Sequence, residues 1–334
     1  MNSSKYGNYT LYGIHDKTER YCWAVYHILV LLSSLIRDTL ILYASFQPDA
    51  FKLNKFIVSV LQHIAVSNIS IAVSQVLTTA ISLLANSWVL GKALCYTEVY
   101  MCYLMYPAGM LLTAVMTTSK YHLLKYPLRS AKWTRKRGQQ VCFLIWALCS
   151  LSISLMLSLL DNDDKQFDYR IYVCDYRFTA AAWKIILPIF TTTMSFVPII
   201  IIIGTTIPTL KYLIDASKSA RRVKGSIPWQ GAMTVALTAI CFCILNLPVF
   251  VYFTGKTFVD ESSTSNFHTQ YFRLVTFLMK LNIMANFYIY ALTIKSFKRF
   301  LYSLTMTVVP TSLLDSWNRS AGKIYLLGYN LIVH

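Results

Sequence analysis

Lys280 stands well inside a long apolar run, residues 269–292. A charged amine at such a position is expensive, and an ionisable group kept there serves a site by default. Three chemistries are open to it. It can pair with a carboxylate, receive an acidic group of a ligand, or condense with a carbonyl compound to an imine. Two acids have places in the chain that bear on this choice. Glu98 lies three residues after Cys95, and Asp168 lies six residues before Cys174. A carboxylate near the nitrogen would stabilise a protonated amine or imine. Soluble-enzyme chemistry finds no support, because the chain has no P-loop, no GxSxG and no HExxH. Cys241 and Cys243 lack metal-type partners nearby, so no metal site is expected.

The elements that must position these groups are seven apolar stretches, near 22–46, 55–84, 92–125, 139–160, 183–213, 229–254 and 269–292. A helix needs about 20 residues to cross a hydrocarbon core of roughly 30 Å, and each stretch is long enough. None alternates strictly between polar and apolar, so helices rather than barrel strands are expected. The fold class is therefore an all-α membrane protein, a seven-helix bundle with no second soluble domain. Hydrophobic residues make up 56% of the chain and charged residues 13%, off the balance of a soluble domain.

The net charge of +17 could point to nucleic acid, but its distribution points to a bilayer. Lys120, Lys125, Arg129, Lys132, Arg135, Lys136 and Arg137 crowd the connection after the third stretch. Lys211, Lys218, Arg221, Arg222 and Lys224 follow the fifth, and Lys295, Lys298 and Arg299 follow the seventh. Lys52 and Lys55 add to the first connection. Cations gather on the cytoplasmic side, which places the N-terminus outside. The opposite loops carry Asp161, Asp163, Asp164, Asp260 and Glu261, partly offset by Arg170, Arg177 and Lys256. Asn2-Ser3-Ser4 and Asn8-Tyr9-Thr10 are glycosylation sequons on that outer side, which fits. Asn68-Ile69-Ser70 lies within the second stretch, where the sequon would go unused. The first stretch lacks the charged start of a cleavable signal and is expected to insert itself. Cys95 and Cys174 both fall on the outer, oxidising side, where a disulfide is plausible. Cys102, Cys142, Cys149, Cys241 and Cys243 read as small buried hydrophobes.

Together these residues resemble a rhodopsin-like (class A) G-protein-coupled receptor over 22 to about 303. Trp88-Val-Leu-Gly91 before Cys95 resembles the family's first outer loop, and the resemblance implies its disulfide to Cys174. Tyr121 with Pro127-Leu128-Arg129 resembles the inner end of the third helix and the loop that docks the G protein. Trp146 resembles the fourth-helix tryptophan, Pro198 the fifth-helix proline, and Phe242 with Pro248 the sixth-helix switch region. Asn286-Phe-Tyr-Ile-Tyr290 resembles the seventh-helix Asn-Pro-x-x-Tyr signature, and 294–301 the short amphipathic eighth helix. The domain plan is an extracellular N-terminus at 1–21, a receptor bundle with the eighth helix at 22–303, and a cytoplasmic tail at 304–334.

The departures are as informative. Ser119-Lys120-Tyr121 stands where the family has Asp-Arg-Tyr, and a lysine cannot make a planar bidentate contact. Asp38 matches the family's first-helix asparagine and Asn68 its second-helix aspartate, an exchange of the two residue types. Asn246 replaces the toggle tryptophan, and Phe287 the seventh-helix proline. Pro198 and Pro248 remove mid-helix hydrogen bonds and are expected to act as hinges.

Lys280 precedes Asn286 by six residues, the spacing of the retinal-binding lysine in opsins. Glu98 and Asp168 match positions where opsins carry acids. Against that, Tyr103 and Tyr106 stand where opsins keep small residues, and Asn246 where the tryptophan packs on the retinal ring. The expected ligand pocket comprises Glu98, Cys102, Tyr103, Tyr106, Phe190, Met194, Asn246, Phe250 and Lys280. The expected coupling residues are Lys120, Tyr121, Pro127, Asn286 and Tyr290.

The resemblance implies a plasma-membrane receptor with an extracellular ligand, chemosensory or peptide, and a heterotrimeric G protein inside. Arrestin and a receptor kinase would act on tail residues such as Ser312 and Ser316. No cofactor is implied except retinal under the opsin alternative, and no nucleic acid. A non-coupling decoy and a seven-helix transporter are the remaining alternatives, although no internal repeat of the transporter kind is visible.

Overall fold

The structure, a computed structural model, describes residues 17–47, 50–51, 53–130, 132–158, 165–168, 173–176, 183–223, 229–256 and 266–308, with backbone alone at some positions. Among them seven long helices run in chain order: α1 (Lys17–Phe46), α2 (Lys55–Ala85), α3 (Gly91–Lys125), α4 (Arg135–Ser158), α5 (Trp183–Val223), α6 (Trp229–Lys256) and α7 (Asn266–Thr293). A short helix, α8 (Lys295–Val308), follows. Among the described residues α1, α2, α3, α4 and α7 are long and apolar enough to cross a membrane, while α5 and α6 contribute the apolar segments Phe196–Tyr212 and Ala236–Val249. The chain is a multi-pass membrane protein. Between α4 and α5 the chain adds an antiparallel hairpin, β1 (Lys165–Asp168) with β2 (Val173–Tyr176), Phe167 opposite Cys174.

The helices outrun the apolar stretches. α1 starts at Lys17 rather than 22, α5 continues to Val223 rather than 213, and α8 reaches Val308. Hydropathy marks where the chain enters water, not where its hydrogen-bond ladder ends. Lysine, arginine and alanine in these extensions are good helix formers.

Each helix turns its residues the way a bilayer demands. On α1, Leu29 and Ile36 are 61% and 62% exposed, while Ser34 and Asp38 are 1% exposed. Lipid tails solvate the leucines, so nothing drives them inward, whereas a polar group in hydrocarbon must find a partner inside the protein. Small residues let backbones approach. A Cβ on Gly138 of α4 would stand 2.9 Å from the Cβ of Ser59 on α2, and one on Gly109 of α3 would stand 3.3 Å from Ser67 Oγ. Ser67 Oγ also donates to the Met105 carbonyl at 2.9 Å, tying α2 to α3.

The ends are set by local chemistry. Asn54 caps α2, its side chain accepting from Phe56 N at 2.8 Å. A π-helical segment, Ala72–Val76, interrupts α2. Asn86 ends it in the left-handed region at φ 55°, and Gly91 opens α3 at φ 77°, where a side chain would be strained. Phe297 of α8 is fully buried, stacked on Phe51 at 4.6 Å and edge-on to Phe287, while Lys295, Lys298 and Arg299 stay exposed. That pattern suits a helix lying at a membrane interface.

In the middle of the bundle Asp38 and Asn68 meet, as their exchange in the sequence implies. Asn68 Nδ2 donates to Asp38 Oδ1 at 3.2 Å and Ser34 Oγ to Oδ2 at 3.0 Å. Arg37 NH2 lies 3.4 Å from Oδ2, and its NH1 donates to the Ile283 carbonyl of α7 at 3.1 Å. A buried guanidinium and a buried carboxylate thus join α1, α2 and α7. Asp38→Ala, which strands the Arg37 charge, is expected to lose about 3–5 kcal/mol of stability, whereas the paired change Arg37→Met with Asp38→Leu should lose clearly less. Thermal unfolding of the purified variants checks this, and equal losses would refute the pairing.

Candidate functional site

Lys280 is 2% exposed and its direct partner is on α1. Its Nζ is hydrogen-bonded to His27 Nε2. The other ring nitrogen, Nδ1, lies 2.8 Å from the Trp23 carbonyl oxygen. A carbonyl can only accept, so Nδ1 carries the hydrogen and Nε2 accepts from Lys280 Nζ. Glu98 of α3 is buried as well, at 2% exposed. The hydrogen-bonding partner of Lys280 is a histidine that the sequence reading left out. The signal was available, since His27 is another ionisable group inside an apolar run.

A second polar contact crosses the interior from α3 to α6. Tyr106 Oη donates to Asn246 Oδ1 at 2.6 Å, and Asn246 Nδ2 donates to the Phe242 carbonyl at 2.8 Å. Asn246 is 1% exposed, and its amide is occupied at both ends. Just beyond it on α6 lies Pro248, which cannot donate to the Ile244 carbonyl. The Pro248 carbonyl faces Tyr271 Oη of α7 at 3.5 Å. The Asn246 latch and the expected hinge thus share one turn of α6.

The other expected pocket residues lie on α3, α5 and α6. Tyr103 is partly buried against the main core, and Met194 is half-buried on α5. The side chains of Phe190 and Phe250 lie outside the described residues. Pro198 is buried in α5. Cys95 is disulfide-bonded. Cys174 stands on β2, which packs against α3, and its side chain is also outside the described residues. So are Asn2 and Asn8.

At the opposite end of the bundle Lys120 turns inward rather than to solvent. It is 7% exposed and its Nζ has no hydrogen-bond partner among the described residues. The nitrogen sits 5.1 Å from the centroid of the Tyr290 ring, whose hydroxyl donates to Met116 Sδ at 3.0 Å. A buried cation over an aromatic face is attracted by the ring quadrupole, which here joins α3 to α7. Thr234 and Thr293 hydroxyls meet at 2.7 Å and join α6 to α7 nearby. Tyr121 instead faces the surface with Lys125 at 3.0 Å. Pro127 opens an exposed helical turn, Pro127–Ser130, with Leu128 87% exposed and Ser130 anchored to the His122 carbonyl at 3.0 Å. Asn286 is half-buried on α7.

A profile for 7 transmembrane receptors of the rhodopsin family matches residues 39–290, most of the chain. The chain belongs to the rhodopsin family of seven-transmembrane receptors. A receptor, not an enzyme, is what that membership implies. Purinoceptor 8 of Gallus gallus is 24% identical over 194 residues, covering 53% of this chain and 52% of that receptor. The match spans about half the length of that relative.

In a receptor of this build the Tyr106–Asn246 contact holds α6 to α3. Tyr106→Phe leaves the Asn246 oxygen buried and unbonded, at a cost of about 1–3 kcal/mol. The expected result is a lower unfolding midpoint of the purified receptor. An unchanged midpoint would show that the contact restrains nothing.

Proposed function

We propose that this receptor is a ligand-operated switch of the plasma membrane, its N-terminus with Asn2 and Asn8 outside and heterotrimeric G protein inside. The observation that carries this is the Tyr106–Asn246 contact, within a turn of Pro248. A ligand that competes for either group changes the relative free energy of two α6 positions, which is all that a two-state receptor needs. Lys280 with His27 joins α7 to α1, so that part of the pocket wall is preorganised rather than assembled on binding. The bonded state of Cys95 and the placement of β2 against α3 support a Cys95–Cys174 disulfide holding the hairpin over the mouth.

The name of the chicken relative, a purinoceptor, makes extracellular purines the first ligands to test. Cells expressing the receptor with a dissociation reporter are expected to show signal above mock-transfected cells, increased by an agonist purine and reduced by Lys280→Met. Signal at the mock level, with and without a broad purine panel, would favour a non-coupling decoy. Arrestin and a receptor kinase, acting on tail serines and threonines, belong to the same proposal.

The retinal alternative meets two obstacles in the interior. His27 already holds Lys280 Nζ, and the Tyr106–Asn246 contact crosses the space that a long polyene would fill. Purified receptor incubated with 11-cis-retinal is therefore expected to show only the absorption of free retinal. A red-shifted band that disappears in Lys280→Ala would establish the imine instead.

A further inference from the structure

Where the first turns of α1 pack on α7, several donors go without an acceptor among the described residues. Arg20 is 9% exposed, yet its Nε has no hydrogen-bond partner among them. The same holds for the hydroxyl of Tyr26 and for Nε of Arg273. All three are buried atoms on two neighbouring helices, and all three can donate. Buried donors, especially on guanidinium groups, are nearly always satisfied, so several together mark the place of an absent acceptor.

The neighbours do not fill that place. Glu19 is the carboxylate at hand, and its Oε1 already accepts from Arg273 NH1 at 2.6 Å and from Trp23 Nε1 at 3.3 Å. Arg20 lies over the ring of its neighbour Tyr21, 5.5 Å from the centroid, and no carboxylate pairs with it among the described residues. Among the described residues Glu19 pairs with Arg273 and no acid pairs with Arg20, which leaves an excess positive charge there. Tyr26 packs on Phe277 of α7 at 5.4 Å, which places its hydroxyl in the same seam. Arg20 shares the buried stripe of α1 with Ala24 and His27. Ala24 clusters with Leu83 of α2, and His27 holds Lys280 of α7. Arg20 therefore occupies the wedge between α1, α2 and α7, two turns or about 10 Å along the axis from His27.

We propose that this wedge is a binding subsite for an anionic, oxygen-rich group of the phosphate class, held by Arg20, Tyr26 and Arg273. A forked guanidinium matches such oxygens in geometry as well as charge. The subsite is separate from the Tyr106–Asn246 contact and does not depend on what binds there. Two sources offer this chemistry, a soluble phosphate ester and the headgroup of a lipid in the adjacent leaflet. The second is within reach because Tyr21, Val25 and Leu274 beside the seam are about half exposed and face the bilayer.

The test is thermal unfolding of the full-length receptor, purified in maltoside detergent without phosphate or anionic lipid. Pyrophosphate and phosphatidylglycerol are titrated in separate arms. Either probe is expected to raise the unfolding midpoint saturably by a few degrees. The rise should vanish in Arg20→Gln and in Arg273→Gln but persist in Lys298→Gln, a change at an exposed cation of α8. A rise with pyrophosphate assigns a soluble ligand, and one with the lipid alone assigns a headgroup. Should Arg20→Gln fail to fold, Arg20→Lys keeps the charge but not the fork, and is expected to weaken half-saturation by roughly tenfold. No saturable rise with either probe, a rise that survives both arginine variants, or one lost equally in Lys298→Gln would overturn the subsite.

Discussion

Everything in this bundle follows from one constraint: in hydrocarbon a polar group must be satisfied by the protein itself. The constraint shapes the helices, because it leaves the backbone no other way to close its hydrogen bonds. It also shapes their faces. Leucines and isoleucines of α1 point at lipid, and Ser34, Arg37 and Asp38 point in. With no hydrophobic force to press helices together, contacts between them rest on small residues and paired polar groups. Gly138 against Ser59 is the first kind, and Arg37 with Asp38, Asn68 and the Ile283 carbonyl is the second.

The polar contacts fall into tiers from the end that carries the hairpin to the end that carries α8. Lys280 with His27 ties α7 to α1 in the half nearer the hairpin. The Arg37–Asp38 group ties α1, α2 and α7 at the centre. Lys120 over Tyr290, with Thr234 on Thr293, ties α3 and α6 to α7 near α8. Helix α7 takes part in every tier. A displacement of α7 therefore changes polar contacts along the whole bundle, the kind of discrete repacking through which a site on one side is felt on the other. Helix α6 is held differently, by Tyr106 from α3 and by a threonine near its start, with Pro248 beyond them both. The proline gives the helix a place to bend.

Much of this was legible in residue types and spacing. Apolar length gives the helices. Asp38 and Asn68, each out of place for its helix, lie in contact as their exchange implied. Tyr106 and Asn246, both read as obstacles to a chromophore, bond to each other. The reading of Lys280 passed over His27, because a lone histidine in an apolar run carries no spacing that links it to a lysine 253 positions away. Lys120 was expected at a coupling surface, yet packs inward on Tyr290, since the rotation of a helix end is not fixed by a basic motif.

The sequence by itself determined the family and the number of membrane helices, because hydrophobic length and charge asymmetry act residue by residue against a uniform solvent. It also determined which residues had to be explained, since an ionisable side chain in lipid is conspicuous wherever it lands. Only the tertiary structure decided the partners. Which carboxylate meets which cation depends on the rotation and crossing of helices far apart in the chain, and those follow from the packing of the whole bundle rather than from any local pattern. The unsatisfied donors of Arg20, Tyr26 and Arg273 belong to that second kind, for they become a group only when α1 and α7 lie side by side.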